Sequence, residues 1–111
     1  MLETVTLSHT ASLARLGHAL SDDTRARVLL ALREAPALPS ELADALCVSR
    51  QKLSNHLSCL RGCGLVTAER EGRTARYRLS EPLLGEALGD LMRLTLVVDP
   101  EGCAGEECRC L

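Results

Sequence analysis

The period of the apolar residues breaks after Gly64, and that break constrains the fold more than any other feature. Up to Gly62 the leucines recur every three or four residues; from Leu65 to Leu79 apolar and polar residues alternate, before helical spacing returns at Pro82. The first spacing lays apolar side chains along one stripe of a helix, the second along one face of a strand. A first helix is expected over about residues 8–19, with Leu13, Leu16 and Leu20 at helical spacing. Ser21-Asp22-Asp23-Thr24 supplies capping chemistry for a second helix, whose stripe is Ala26, Val28, Leu29, Leu30 and Leu32 and which ends before Ala35-Pro36. Pro39-Ser40-Glu41 opens a short third helix with Leu42, Ala43, Ala45 and Leu46. After a turn at Cys47-Val48, Ser49 caps a fourth helix over about Arg50–Gly62, with Leu53, Leu57 and Leu60 on its buried side. Two alternating segments, Leu65–Arg70 and Thr74–Leu79, flank Glu71-Gly72-Arg73 and predict a hairpin. Pro82 begins a last helix expected to run to about Val98, its stripe including Leu83, Leu84, Leu88, Leu91, Leu94 and Leu96.

Short helix, tight turn, second helix and β-hairpin, in that order, make a winged helix-turn-helix. The expected fold class is therefore mainly α with a β wing. The last stripe is wider than a 111-residue chain can bury by itself. Terminal helices forming a homodimer interface account for the excess. The expected division is a DNA-binding and dimerisation domain over residues 1–98 and a flexible cysteine-rich tail over 99–111.

In a helix-turn-helix the second helix enters the major groove and offers its N-terminal polar residues to base edges. Here these are Arg50, Gln51, Ser54 and Asn55, followed by His56. Arginine pairs bidentately with guanine, and glutamine and asparagine pair with adenine. The hairpin carries Arg70, Arg73, Arg76 and Arg78, placed for phosphates or a minor groove. His56 has a structural or a phosphate-contacting role open to it. The net charge of −2 hides this cationic face. Residues 50–78 hold seven basic and two acidic side chains, a local net of +5, whereas residues 99–111 hold one basic and four acidic, a net of −3. The bland alternative is a solvated helix face beside an arginine-rich edge strand. Composition excludes other readers: Tyr77 is the sole aromatic residue, too few for a platform that stacks single-stranded bases. No apolar run reaches the roughly 18 residues of a membrane span. No acid–base pair, phosphate loop or activated nucleophile is legible, so no enzyme is expected. Met1–Val5 lacks the pattern of a secretory signal, which predicts a cytoplasmic location.

Six cysteines in a reducing cytosol argue for buried hydrophobes, reactive thiols or metal ligands rather than disulfides. Cys59 and Cys63 are four apart and lie on one helix face about one turn from each other. Two thiolates so placed hold one soft ion incompletely, and Cys103, Cys108 and Cys110 in the tail are candidates to complete it. Thiolate ligation selects cadmium, lead, mercury, arsenite, copper(I) or zinc. Packing beneath the wing is the structural alternative for Cys59 and Cys63. Cys108 and Cys110 have several uses open to them, and Cys47 has no clear role beyond the turn. At that turn a residue with φ > 0 is expected, where cysteine is mildly strained. A thiol-redox repressor and a metal buffer without DNA function are the competing classes.

The residues also carry a resemblance. Glu41-Leu42-Ala43, Leu46, Val48-Ser49, Leu53-Ser54-Asn55-His56-Leu57, Leu60 and Gly64-Leu65-Val66 resemble the ArsR/SmtB family of metal-responsive repressors. Glu71-Gly72-Arg73 with Tyr77-Arg78-Leu79 resembles its wing, and Leu20–Leu29 its preceding helix. The likeness spans roughly residues 12–98. It implies a homodimer that binds double-stranded operator DNA of imperfect two-fold symmetry and lets go when metal binds. Ser58–Gly64 is most similar to the cadmium- and lead-sensing branch, which implies Cys103 as third ligand and favours Cd(II) or Pb(II), with As(III) or Zn(II) possible. An arsenite-responsive repressor of the same fold is the nearest alternative.

Overall fold

The computed structural model describes residues 5–99 and residue 101. Its elements are α1 (His9–Leu20), α2 (Asp23–Glu34), α3 (Pro39–Leu46), α4 (Arg50–Gly62), β1 (Val66–Glu71), β2 (Thr74–Leu79) and α5 (Pro82–Leu91). The winged helix-turn-helix is the observed architecture, and the period change after Gly62 falls where helix gives way to strand. Each of the first two helices opens on a side-chain cap: Ser8 Oγ accepts from the Ala11 amide at 3.1 Å and Asp22 Oδ2 from the Arg25 amide at 3.0 Å. At α3 the Glu41 carboxylate reaches back to the Leu38 amide at 2.8 Å.

One core holds these elements together. Val28, Leu29 and Leu32 of α2 meet Leu42, Ala43 and Leu46 of α3, Leu53, Leu57 and Leu60 of α4, Val66 of β1, Ala19 of α1 and Leu88 of α5. Aliphatic side chains make it up, with Thr24 the buried polar residue, and each fully buried leucine contributes about 1.5–3 kcal/mol. Tyr77 packs at its edge.

β1 and β2 pair antiparallel, with Glu69 opposite Arg76 and Glu71 opposite Thr74. Gly72, at φ +60°, takes the first central position of the two-residue turn, where a type II′ hairpin needs glycine. The wing gains a short third rung. Ala37, ahead of α3, exchanges two backbone hydrogen bonds with Tyr77, at 2.9 and 2.8 Å. Nothing in the residue pattern around Ala37-Leu38 announced it, since a single bridge leaves no alternation.

The last helix is shorter than expected. It ends at Leu91 rather than near Val98, and Arg93 and Leu94 close it with hydrogen bonds to the carbonyls of Asp90 and Leu91. Thr95, Val97 and Val98 are β-branched and lose χ1 freedom in a helix. No packing among the described residues offsets that cost: Leu94, Leu96 and Val97 are exposed, Val97 at 98%. α5 is seated on α2 by Arg33, whose Nε donates to the Gly85 carbonyl at 2.9 Å. Its guanidinium lies so close over Gly89 that a Cβ there would overlap it.

Candidate nucleic-acid interface and thiol pair

The turn between α3 and α4 is built by backbone geometry. Cys47 sits at φ 56°, ψ 45°, in the left-handed region. Its amide donates to the Asp44 carbonyl at 3.4 Å, and the Val48 amide to the Ala43 carbonyl at 3.1 Å. That pair of bonds is a Schellman motif, whose left-handed position glycine normally fills. The strain expected at Cys47 is thus present, and its side chain is exposed. Ser49 then caps α4, its Oγ accepting from the Lys52 amide at 3.1 Å.

This start turns Arg50, Gln51, Ser54 and Asn55 outward while Leu53, Leu57 and Leu60 face the core. Gln51 Nε2 donates to Asn55 Oδ1 at 3.2 Å, so the two amides are already held side by side. His56 behaves differently. It is the polar side chain of α4 that turns inward, and its Nε2 lies 3.6 Å from Asp22 Oδ2 at the start of α2.

The four wing arginines fall into two classes. Arg76 binds Glu71 through two contacts, at 2.5 and 3.3 Å, and approaches Glu41 at 3.6 Å. The hydrogen bond from Arg76 holds the Glu71 carboxyl below its ordinary range, and the same bond raises Arg76. Arg78 meets Glu69 at 3.2 Å. Arg70 and Arg73, near the tip, are exposed and make no ion pair among the described residues. They share the lining of an open cleft with Arg61, from the last turn of α4. Arg61 was not singled out from the sequence; its place in the last turn, where a cation complements the helix dipole, gave it a sufficient local role.

At the other end of α4, Cys59 and Cys63 are free and half-buried, and they lie on the same flank as His56. Gly64, at φ +80°, ends the helix with a second Schellman motif: the Gly64 amide donates to Arg61 at 3.0 Å and the Leu65 amide to Leu60 at 3.1 Å. Arg15 of α1 donates to the Gly62 carbonyl at 3.4 Å and so covers the helix end from outside. Cys63 borders an open groove of about 570 Å³ lined by apolar residues of α1 and α5, including Leu13, Leu16, Leu83 and Leu84. Two soft donors one turn apart suit a thiophilic ion and supply part of its shell. No group of three ligating side chains comes together among the described residues. Cys103, Cys108 and Cys110 lie outside the described residues, as does most of the expected tail.

Comparison with known proteins places this geometry among regulators. Residues 22–68 match the family model described as bacterial regulatory protein, arsR family. The chain is 52% identical over 91 residues to the HTH-type transcriptional regulator CmtR of Mycobacterium tuberculosis, covering 82% of this chain and 77% of that protein. It is 31% identical over 104 residues to a probable mercury resistance operon repressor of Streptomyces lividans, covering 94% and 80%. Among solved structures it resembles the NMR structure of the cadmium metal-sensor CmtR from Mycobacterium tuberculosis, with a TM-score of 0.66 and 50% identity over 85% of this chain and 99% of that one.

Proposed function

The chain belongs to the ArsR family of bacterial regulatory proteins, and from that premise we propose that it is a homodimeric repressor whose operator complex is released by a soft metal ion bound through Cys59, Cys63 and Cys103. It is a transcriptional regulator with a DNA-binding fold and not an enzyme. One observation carries the rest: α4 presents outward amides and an arginine at its start and two thiols at its end.

Arg50, Gln51, Ser54 and Asn55 read base edges, and Arg70 and Arg73 grip the backbone beside them. Arg76 and Arg78 contribute less, because carboxylates already neutralise them. The exposed apolar residues Leu13, Leu83 and Leu91 support pairing of two copies through α1 and α5. No helix among the described residues is long and apolar enough to cross a membrane.

Cadmium is the favoured ion, since the relative described as a cadmium metal-sensor shares half of the aligned residues; lead, arsenite and zinc follow by the same thiolate chemistry. A bound ion would cross-link the thiolates it touches. Cys59 and Cys63 then place that cross-link on the helix that reads DNA, so little structure separates the two events. Linkage requires that DNA weaken metal binding by the factor by which metal weakens DNA binding. Cys108 and Cys110 are further possible donors. A gel-shift titration with cadmium on the reduced protein tests the reading. Wild type is expected to leave the operator, whereas Cys59→Ser, Cys63→Ser and Cys103→Ser stay bound. Normal release by all three variants sinks the thiol site.

A further inference from the structure

His56 follows Asn55 in the sequence, yet it faces the other way. Its side chain is 16% exposed and that of Asp22 34%. The oxygen it approaches, Asp22 Oδ2, is the one that caps α2 by accepting from the Arg25 amide at 3.0 Å. Arg25 in turn donates from Nε to the Ala19 carbonyl at 3.2 Å and from Nη2 to the His18 carbonyl at 2.9 Å. A polar chain therefore runs from the end of α1, through the start of α2, to the middle of α4. The Arg25 guanidinium and Lys52, one turn before His56 on the same helix, also act on Asp22 by charge.

Helix α4 is otherwise held on its inner side by Leu53, Leu57 and Leu60. Aliphatic contacts are non-directional and leave a helix some freedom to roll. A polar contact at its edge removes that freedom. We propose that His56 is a positioning residue that acts through Asp22, fixing the roll of α4 so that Gln51, Ser54 and Asn55 meet the major groove together, and that it makes no DNA contact itself. This rests on the operator-binding reading above and adds a division of labour within the helix.

Operator affinity of the full-length metal-free protein, measured by fluorescence anisotropy over a range of salt, tests it. His56→Leu is expected to bind about tenfold more weakly, because the 3.6 Å contact with Asp22 that fixes the roll of α4 is lost. The slope of log K against log salt should be unchanged, because no phosphate contact is removed. His56→Gln, which keeps a donor near the Nε2 position, restores binding to near the wild-type value. Asp22→Asn keeps the helix cap, since asparagine caps as well as aspartate. It removes only the charge opposite His56 and should weaken binding by less than His56→Leu, and the double variant should be no weaker than His56→Leu alone. Circular dichroism melts confirm that each variant is folded, and Asp22→Asn carries the test alone if His56→Leu does not fold. A slope that falls by about one in His56→Leu makes it a phosphate contact and overturns the proposal. Unchanged affinity in both single variants, or additive losses, overturns it as well. Absence of any salt-dependent binding by wild type removes the repressor reading instead.

Discussion

The two ends of α4 close in the same way and serve opposite purposes. Behind its start, α3 ends in a Schellman motif with Cys47 in the left-handed position; its own end is a Schellman motif with Gly64 there. The start exposes charged and amide side chains, whereas the end half-buries two thiols, of which Cys63 borders the groove between α1 and α5. The same backbone motif thus frames a proposed reading half and a proposed sensing half, and the difference lies in which side chains the frame holds. A stiff segment of 13 residues with a function at each end lets a pull on one end reorient the other.

The strongest way to break that comparison is to remove what both halves share. Leu57→Ala, in the middle of the buried stripe, should cost about 2–5 kcal/mol of stability, and chemical denaturation should show both operator and metal binding lost together. The two turns can then be tested against each other. Gly64→Ala places a Cβ at φ +80° and should destabilise by about 1–2 kcal/mol. Cys47→Gly relieves the same strain and should stabilise by about 0.5–1 kcal/mol, raising Tm. Loss of stability in Cys47→Gly means that the cysteine is held there by something other than the turn.

The wing sharpens the comparison on the reading side. Arg73→Ala should reduce the salt slope of operator binding by about one, while Arg78→Ala should leave it almost unchanged. Equal slopes for the two variants mean that DNA pulls Arg78 away from Glu69. The smallest effect concerns pH. The Arg25 amide, and after it the charge of His56, holds the Asp22 carboxyl below its ordinary range. A group lowered on folding stabilises the fold above its unfolded value, and that contribution fades as pH falls through the folded one. Thermal melts of Asp22→Asn should therefore lose less stability than wild type on acidification.

Period and capping residues made α1 to α4 and the hairpin legible to within a residue or so. Leu53, Leu57 and Leu60 announce a buried stripe whatever surrounds them, and Ser49 announces where it starts. The end of α5 escaped because counting apolar residues rewards Leu94, Leu96 and Val98 equally, whereas a helix needs them packed. The wing arginines looked alike because a residue list does not show pairing. Only the register of β1 against β2 sets Glu71 diagonal to Arg76 and Glu69 diagonal to Arg78, and leaves Arg70 opposite Ala75. His56 was ambiguous for a related reason. Its orientation depends on where the start of α2 lies, a contact across 34 positions that no local pattern reports. The i, i+4 spacing of Cys59 and Cys63 needed nothing beyond the helix itself, so that half of the thiol reading was visible at once.

The bridge between Ala37 and Tyr77 gives the wing the mechanics of a cantilever. Its root is bolted to the segment that leads into α3 by two main-chain bonds, and the free arm beyond Tyr77 reaches to Gly72, about 17 Å further at strand rise. Force applied to the tip by a DNA backbone is thereby delivered at Ala37, two residues before α3 begins. The load path runs through main-chain atoms, so it does not depend on which side chains occupy positions 37 and 77. On the proposed reading, a regulator built this way would feel the shape of its operator through the arm as well as the identity of its bases through the helix.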